Sequence, residues 1–438
     1  MKRHFSHSDV QYYAMDGKHL TFVGMRLTLD SDINKDILQE CADKCRRRMP
    51  YFFIRKEIVG NEINLVENEA KFIVHNDPLD YIIDESNNDN FLVRLSCNKN
   101  VLTFYFFHGL SDAGCMAEYL RMLLVEYYRR LGEDVIPPDD LMDINREVDP
   151  KELVQPMELV PEDIVPAKRE KYPFHEIKLK KTDKFYSYVF DVRKEELMEY
   201  AKEFDGSPNA LASIALAKTI KSFTNKNDKK PICIGVAVNT KHLIGCKESM
   251  SLALLSSVFH YDDKALNMEH ELLDTCVRGK IIMESSKEDI FSHLAACRTA
   301  ERIMDLLPTF KARELFCRQA LKTVSVTATV SYMGDVEWGS IEKHINCMST
   351  YCNAGAPIVE IDYVNDKFFF TLTSDMDLKD YASKMRRMFI EMGFVCGDLS
   401  CQVYKTDPRK IDLPKFGLNK ETFMIIKAAK TLAKEAKK

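Results

Sequence analysis

An uncharged, aromatic-rich run that ends at a histidine constrains this chain most. Residues 101–107 contain four aromatic side chains and no charge, which predicts a buried strand. Glycines at 109 and 114 predict a tight loop after His108, and residues 115–131 have the pattern of an amphipathic helix. The strand would fix the backbone of His108 while its ring faces a cavity, an arrangement typical of a general base. The alternative is a buried histidine that bonds only to backbone.

The chain length, the order of the predicted strands and helices, and the positions of the prolines predict an α/β protein with two cores. The chain has 438 residues, enough for two domains of about 150 to 220 residues each. The first half predicts a strand, a helix over 33–48 capped by the Asp30-Ser-Asp run, a strand over 51–59 and later hairpins. Seven prolines between 135 and 173 predict a long crossover. The second half predicts further strands and helices, including a hairpin over 358–373.

Composition excludes several classes of protein. The net charge is −5, from 62 basic and 67 acidic residues, so we expect no nucleic-acid partner. Thirteen cysteines without a C-x-x-C pair are typical of reduced thiols, which favours a cytoplasmic location. No apolar run reaches the roughly 18 residues of a membrane helix. Residues 406–438 form a basic amphipathic tail, interpreted either as a surface-binding segment or as a terminal helix.

Motifs of cofactor and metal chemistry are missing from the sequence. It contains no G-x-G-x-x-G, no phosphate-binding loop, no H-E-x-x-H and no G-x-S-x-G, so we expect no metal and no permanently bound cofactor. The pattern H-x-x-x-D occurs twice, at His108 and Asp112 and at His270 and Asp274. The second copy falls in a predicted helix and is interpreted as a surface pair. Asp112 precedes a predicted helix, where a carboxylate would cap the helix and brace the loop.

Three motifs together resemble one family. The run Phe107-His108-Gly-Leu-Ser-Asp112-Ala-Gly resembles the H-H-x-x-x-D-G signature of the chloramphenicol acetyltransferase-like acyltransferases, with the bacterial alcohol acetyltransferase-like group nearest. Val238-Asn-Thr-Lys241 is similar to the family strand that ends in asparagine and then a basic residue. Thr329-Val-Ser-Tyr-Met-Gly334 is similar to its serine-glycine segment. Phe107 stands for the first histidine, Ala113 for the glycine, and Lys241 for the usual arginine.

The resemblance implies a fold and its division. It implies two similar α/β sandwich domains with mixed, largely antiparallel sheets and an active-site tunnel between them. The first acyltransferase half would span residues 1–165, with the crossover beginning at about 135. The second would span 174–405, followed by the tail.

The resemblance also implies acyl transfer from acyl-coenzyme A, a co-substrate, to a small-molecule alcohol or amine, with acetyl as the expected acyl group. His108 would be the general base, and Asp112 would anchor the loop through an arginine that the sequence does not identify. Ser331 or a backbone amide would stabilise the oxyanion, while a serine bonded to its own backbone is the alternative. The other expected substrate-binding residues are Gly109, Asn239 and Tyr332. Two other interpretations are open: condensation-type transfer from a carrier-protein thioester, and a non-catalytic binding or scaffold protein.

Overall fold

The structure is a computed structural model with fifteen strands and nine α-helices within the residues that it describes. The described residues are 2–4, 12, 21–60, 62–78, 88–168, 172–204, 206–307, 309–321, 326–353 and 355–405. The predicted basic tail, 406–438, lies outside the described residues. The helices are α1 (Lys35–Arg48), α2 (Ala113–Arg130), α3 (Lys194–Phe204), α4 (Pro208–Ser222), α5 (Asp263–Leu266), α6 (His270–Glu284), α7 (Lys287–Asp305), α8 (Phe310–Leu321) and α9 (Lys379–Glu391).

The strands form three sheets in the described part of the chain. They are β1 (Lys2–His4), β2 (Phe22–Leu29), β3 (Ile54–Val59), β4 (Glu62–Glu67), β5 (His75–Asn76), β6 (Val93–Asn98), β7 (Val101–Phe107), β8 (Lys181–Arg193), β9 (Ile232–Asn239), β10 (Leu254–Tyr261), β11 (Ala328–Tyr332), β12 (Ile345–Cys352), β13 (Ile358–Val364), β14 (Lys367–Met376) and β15 (Ser400–Lys405). Their orders are β1-β4-β3, β12-β2-β7-β6-β5 and β10-β9-β11-β13-β14-β8-β15. Most neighbours are antiparallel, while β11 is parallel to β9 and β13, and β5 is parallel to β6. The predicted mixed, largely antiparallel α/β class is confirmed.

The five-stranded sheet holds the histidine strand at its centre. Strand β7 lies between β2 and β6, with Phe107 opposite Phe22. Helices α1 and α2 pack against each other beside this sheet. The apolar residues of β7 and α2 are buried together in one core. The aromatic side chains of β7 thus belong to a buried strand that pairs with a neighbour on each edge.

The seven-stranded sheet has a second core on one of its faces. Helix α4 packs there, with almost every residue from Ala210 to Ile220 buried. The β13–β14 hairpin turns through Asn365 and Asp366, whose φ angles of 51° and 57° suit a two-residue type I′ turn. The predicted hairpin over 358–373 is therefore confirmed and slightly longer.

Strand β12 crosses from the second half of the chain to the first sheet. It pairs with β2 in an antiparallel register, for example Thr350 with Met25. Sequence analysis missed this strand. Asp362 on β13 accepts hydrogen bonds from the Thr350 amide (2.6 Å) and hydroxyl (2.7 Å), which links β12 to the large sheet as well. The division of the chain at residues 165 and 174 stays a prediction, and this strand exchange joins its two parts.

Two local predictions were wrong near the N-terminal helix. The N-cap of α1 is Asn34 instead of the Asp30-Ser-Asp run, because the Asn34 Oδ1 atom accepts from the Asp36 and Ile37 amides. The predicted strand over 51–59 begins at Ile54, since Pro50 starts a short 3₁₀ turn over Pro50–Phe52. Proline favours the first position of such a turn because its φ is already fixed.

The proline-rich crossover contains two 3₁₀ turns, Pro150–Leu153 and Pro156–Leu159. Glu152 in the first turn accepts hydrogen bonds from Arg48 (Nη1, 2.9 Å; Nη2, 2.6 Å) and from Tyr51 (2.8 Å). Burial alone would raise the pKa of Glu152, but the Arg48 guanidinium leaves that pKa lowered. The crossover is thereby fixed to α1. Among the described helices, none has the length and apolar content required to cross a bilayer.

Substitution of Gly24 tests the placement of β12 against β2. A Cβ atom at this position would lie 2.7 Å from Cε2 of Tyr105 and would also collide with the ring of Tyr351 on β12. We expect Gly24→Ala to lower the free energy of unfolding by about 1–3 kcal/mol, the usual cost of overpacking. Chemical denaturation measures this change.

Gly279 supplies the control for this variant. It lies in α6, and a Cβ there would meet no atom within 4 Å. Gly279→Ala should therefore be neutral or stabilise the protein by up to about 1 kcal/mol, the helix preference for alanine. A Gly24→Ala variant as stable as the parent would contradict the described packing of β12.

Candidate active site

His108 is held in place by three contacts at the end of β7. Its backbone amide donates to the Thr21 carbonyl oxygen (2.8 Å), which continues the β2–β7 ladder. Its ring stacks on the ring of Tyr12, with centroids 4.2 Å apart and planes at 23°. Phe106 contacts the same ring edge-on at 6.4 Å. The imidazole is thus fixed by the sheet and by aromatic packing.

The hydrogen bond at Nδ1 defines the tautomer of His108. The Nδ1 atom lies 3.2 Å from the Ser111 carbonyl oxygen. Because a carbonyl only accepts, Nδ1 must carry the proton, and in the neutral ring Nε2 then has a free lone pair. Burial lowers the pKa of His108, with the Ser111 carbonyl and the Asp112 carboxylate opposing that shift. The ring is therefore neutral at pH 7 and able to accept a proton at Nε2.

Asp112 caps α2 and forms a buried ion pair. Its Oδ1 atom accepts from the Cys115 amide (3.1 Å), and its Oδ2 atom lies 2.6 Å from Nζ of Lys241. Both side chains are 4% exposed. Burial alone would lower the pKa of Lys241, but the Asp112 carboxylate and the Cys115 sulfur leave it raised, so the amine stays charged. Lys241, which replaces the family's usual arginine, is the cationic partner that the sequence did not identify.

A second set of contacts braces the same loop from the segment after Lys241. The Ser111 hydroxyl donates to the Met250 carbonyl (2.6 Å), and Sγ of Cys115 lies 3.6 Å from the Ser249 carbonyl oxygen. The Met250 amide in turn donates to the Glu152 carbonyl (2.8 Å) in the crossover. The histidine loop is therefore fixed by Lys241 and by residues 249–250, which the crossover holds in turn.

The other predicted site residues fall into two groups. Gly109 is buried in the loop directly after His108. Asn239 ends β9 with an exposed side chain, and its Oδ1 atom accepts from the Lys241 amide (3.1 Å), so it positions the lysine. Ser331 and Tyr332 lie on β11, where adjacent side chains point to opposite faces. Tyr332 packs on the core that α4 covers, whereas Ser331 hydrogen-bonds to Glu360 of β13.

The second copy of H-x-x-x-D is not the surface pair that the sequence predicted. Asp274 is fully buried, and its Oδ2 atom accepts from the Tyr200 hydroxyl (3.2 Å). The same hydroxyl lies 2.5 Å from Nε2 of His270, whose pKa burial lowers to about 4. The prediction failed because it considered only neighbours along the helix, whereas Tyr200 arrives from α3. This pair is part of the packing between helices.

The sequence did not predict two residues that contact the predicted site residues. Tyr12 stacks on His108, and Glu360 hydrogen-bonds to Ser331. Glu360 had a signal in the sequence, since it is an acid between the apolar residues Val359 and Ile361 of a predicted strand. Tyr12 had none, because its contact with His108 depends on the path of the chain before β2. The lone tryptophan, Trp338, is fully buried in the first core.

The described residues contain no cluster of three or more His, Cys, Asp or Glu side chains able to hold a metal ion.

Comparison with known proteins identifies the fold through structure alone. No family model matches the sequence, and no curated protein matches it. Polyketide synthase associated protein 5 from Mycobacterium tuberculosis superposes with a TM-score of 0.62 at 15% identity, over 88% of this chain and 96% of that one. TRI101 of F. graminearum, complexed with coenzyme A and deoxynivalenol, gives 0.56 at 11% identity, over 92% and 99%.

A second TRI101, from F. sporotrichioides and complexed with coenzyme A and T-2, gives a TM-score of 0.54 at 11% identity, over 91% and 99% of the two chains. These matches cover both halves of the chain. The chain therefore shares the fold of these structures, which is the fold that the resemblance to the chloramphenicol acetyltransferase-like acyltransferases implied.

The buried ion pair gives a test of the loop's anchoring. Removing one partner leaves the other charge buried and unpaired, which costs about 3–5 kcal/mol. We expect Asp112→Asn and Lys241→Met each to lower the free energy of unfolding by about that amount. The double variant should cost clearly less than the sum, because no unpaired charge remains. Chemical denaturation of all four proteins measures the coupling.

Arg302 and Glu162 provide the matched control, since this pair has a similar distance (2.8 Å) but side chains that are 61% and 71% exposed. The corresponding cycle with Arg302→Met and Glu162→Gln should show no resolvable coupling. Strict additivity of the Asp112 and Lys241 variants would contradict the described ion pair.

Proposed function

We propose that this protein is an acyltransferase that moves an acyl group from acyl-coenzyme A to an alcohol or amine. The observation that carries the proposal is the fixed, neutral imidazole of His108, whose Nδ1 is bonded to the Ser111 carbonyl and whose Nε2 has no hydrogen-bond partner among the described residues. Its support from outside the chain is the shared fold, since two structures with this fold contain coenzyme A. Acetyl is the first acyl group to test.

The proposed step needs one base. Nε2 of His108 removes the proton of the acceptor hydroxyl or amine as that atom bonds to the thioester carbonyl carbon. The carbon–sulfur bond then breaks, and the coenzyme A thiolate accepts this proton from the imidazolium. Because a thiol with a pKa of roughly 8–9 is a good leaving group, no covalent enzyme intermediate is required. The Ser111 carbonyl also stabilises the transient imidazolium through Nδ1.

Asp112 serves as a positioning residue in this proposal. Its two oxygens are occupied by the Cys115 amide and by Lys241, so its carboxylate holds the loop instead of contacting the acceptor. The oxyanion requires a separate donor. Hydrogen bonding of Ser331 to Glu360 favours a backbone amide over the Ser331 hydroxyl for that role.

Release of free thiol from acyl-coenzyme A tests the function. We expect the parent protein to release coenzyme A from acetyl-coenzyme A in the presence of a panel of short alcohols, amines and sugars. His108→Ala should lower the rate by about 10²–10⁴-fold, the usual contribution of a general base. Its melting temperature should change little, because the backbone bond to Thr21 remains.

His270→Gln is the matched control, since it alters the other H-x-x-x-D histidine and should leave thiol release intact. Equal rates for His108→Ala and the parent would remove His108 from the mechanism. If the parent releases no thiol from acetyl-coenzyme A with any acceptor, the coenzyme A donor is wrong. A carrier-protein thioester is then the donor to assay.

A further inference from the structure

A row of buried polar side chains crosses the face of the seven-stranded sheet that lies opposite α4. Val359 and Ile361 of β13 pack in the core beneath α4, so Glu360 between them points to the other face. The strand register places Ser331 of β11 on one side of Glu360 and Thr371 of β14 on the other. Glu360 is 5% exposed and Thr371 is fully buried. This row and the neighbouring Thr373 are termed the polar row.

The polar row has more hydrogen-bonding capacity than the described protein uses. The hydroxyl oxygens of Thr371 and Thr373 are buried, and neither has a hydrogen-bond partner among the described residues. A buried polar group without a partner costs about 1–3 kcal/mol, so such groups are informative when they occur together. Three hydroxyls and one carboxyl on a single face are suited to a ligand that donates hydrogen bonds.

The charge of the polar row selects among such ligands. Burial raises the pKa of Glu360 to about 7, the Ser331 hydroxyl opposes the shift, and the Asp362 carboxylate adds to it. A cation placed beside Glu360 would favour its ionised form and would be bound by it. Asp362 does not compete for that cation as strongly, because the Thr350 amide and hydroxyl already satisfy its oxygens.

The polar row is connected to the histidine through β12. Asp362, two residues after Glu360, is bonded to Thr350 of β12. Cys352 follows two residues later in β12 and lies close enough to Tyr12 to raise the pKa of that phenol, although burial is the larger cause. Tyr12 stacks directly on the His108 ring. A chain of contacts through β12 and Tyr12 therefore leads from the polar row to the His108 ring.

We propose that the polar row binds the ammonium group of the acceptor, with Glu360 as the counter-charge and Ser331, Thr371 and Thr373 as the surrounding hydroxyls. The acceptor class is then an aliphatic amine that carries a second nucleophilic group, a hydroxyl or an amine, which reaches His108. This inference rests on the proposed function only for the role of the ligand as acceptor. The binding itself requires no turnover.

Calorimetric titration of the full-length chain tests the inference without catalysis. The probes are a straight-chain amino alcohol and the diol of the same length. We expect the parent to bind the amino alcohol at least about tenfold more tightly than the diol, which corresponds to about 1.4 kcal/mol of binding free energy. Glu360→Gln should abolish this preference, and Thr371→Val should weaken amino alcohol binding several-fold. Glu195→Gln, at an exposed position of α3, makes the same charge change and should bind as the parent does.

The pH dependence gives a second readout. The amine stays protonated between pH 6 and 8, whereas Glu360 loses its proton near pH 7. Affinity of the parent for the amino alcohol should therefore rise across this range. The rise should be clearly smaller in Glu360→Gln, where the neighbouring Asp362, with a pKa that burial raises to about 6, still titrates. Equal affinity for amino alcohol and diol, no binding of either, or an unchanged preference in Glu360→Gln would overturn the inference.

Thiol release separates this inference from the proposed function. Turnover with diols but no preference for amines would leave the acyltransferase proposal standing and remove the ammonium site. Selective binding of the amino alcohol without thiol release would support the ammonium site and contradict the acyltransferase proposal.

Discussion

The loop that holds His108 depends on one buried ion pair between the two halves of the chain. Asp112 begins α2 in the first half, and Lys241 follows β9 in the second. Each charge would be costly alone in a site where both side chains are 4% exposed, so the two must remain together for either to stay ionised. A lysine lacks the forked geometry of arginine, but its amine reaches both Asp112 and Sγ of Cys115 (2.7 Å). The position of His108 follows from this contact.

Strand β12 couples the halves a second time. It leaves the second half of the chain, pairs with β2 and places Cys352 near Tyr12. The Arg48 and Glu152 pair fixes the crossover, whose Glu152 carbonyl accepts the Met250 amide beside the histidine loop. Neither half forms the candidate site alone, because His108 comes from the first half, whereas Lys241 and the polar row come from the second. The proposed acyl transfer would thus depend on both halves of the chain.

Local patterns in the sequence sufficed for most elements but not for contacts between distant segments. The aromatic run of β7, the hairpin at Asn365 and the role of Asp112 as a cap were all predictable, since each depends on neighbours in sequence. Strand β12 has no comparable signal, because its register is set by β2, more than 300 residues earlier. For the same reason, the partner of Asp112 and the burial of Asp274 required the folded structure.

The state of the His108 ring is the central claim, and nitrogen NMR of histidine-labelled protein measures it directly. The His108 signals can be assigned by their loss in His108→Gln. At pH 7 the account predicts a neutral ring with the proton on Nδ1 and an unprotonated Nε2, and a protonation midpoint below about 6.5 because burial lowers the pKa. A proton on Nε2 at pH 7, in either the other tautomer or the imidazolium, would contradict it.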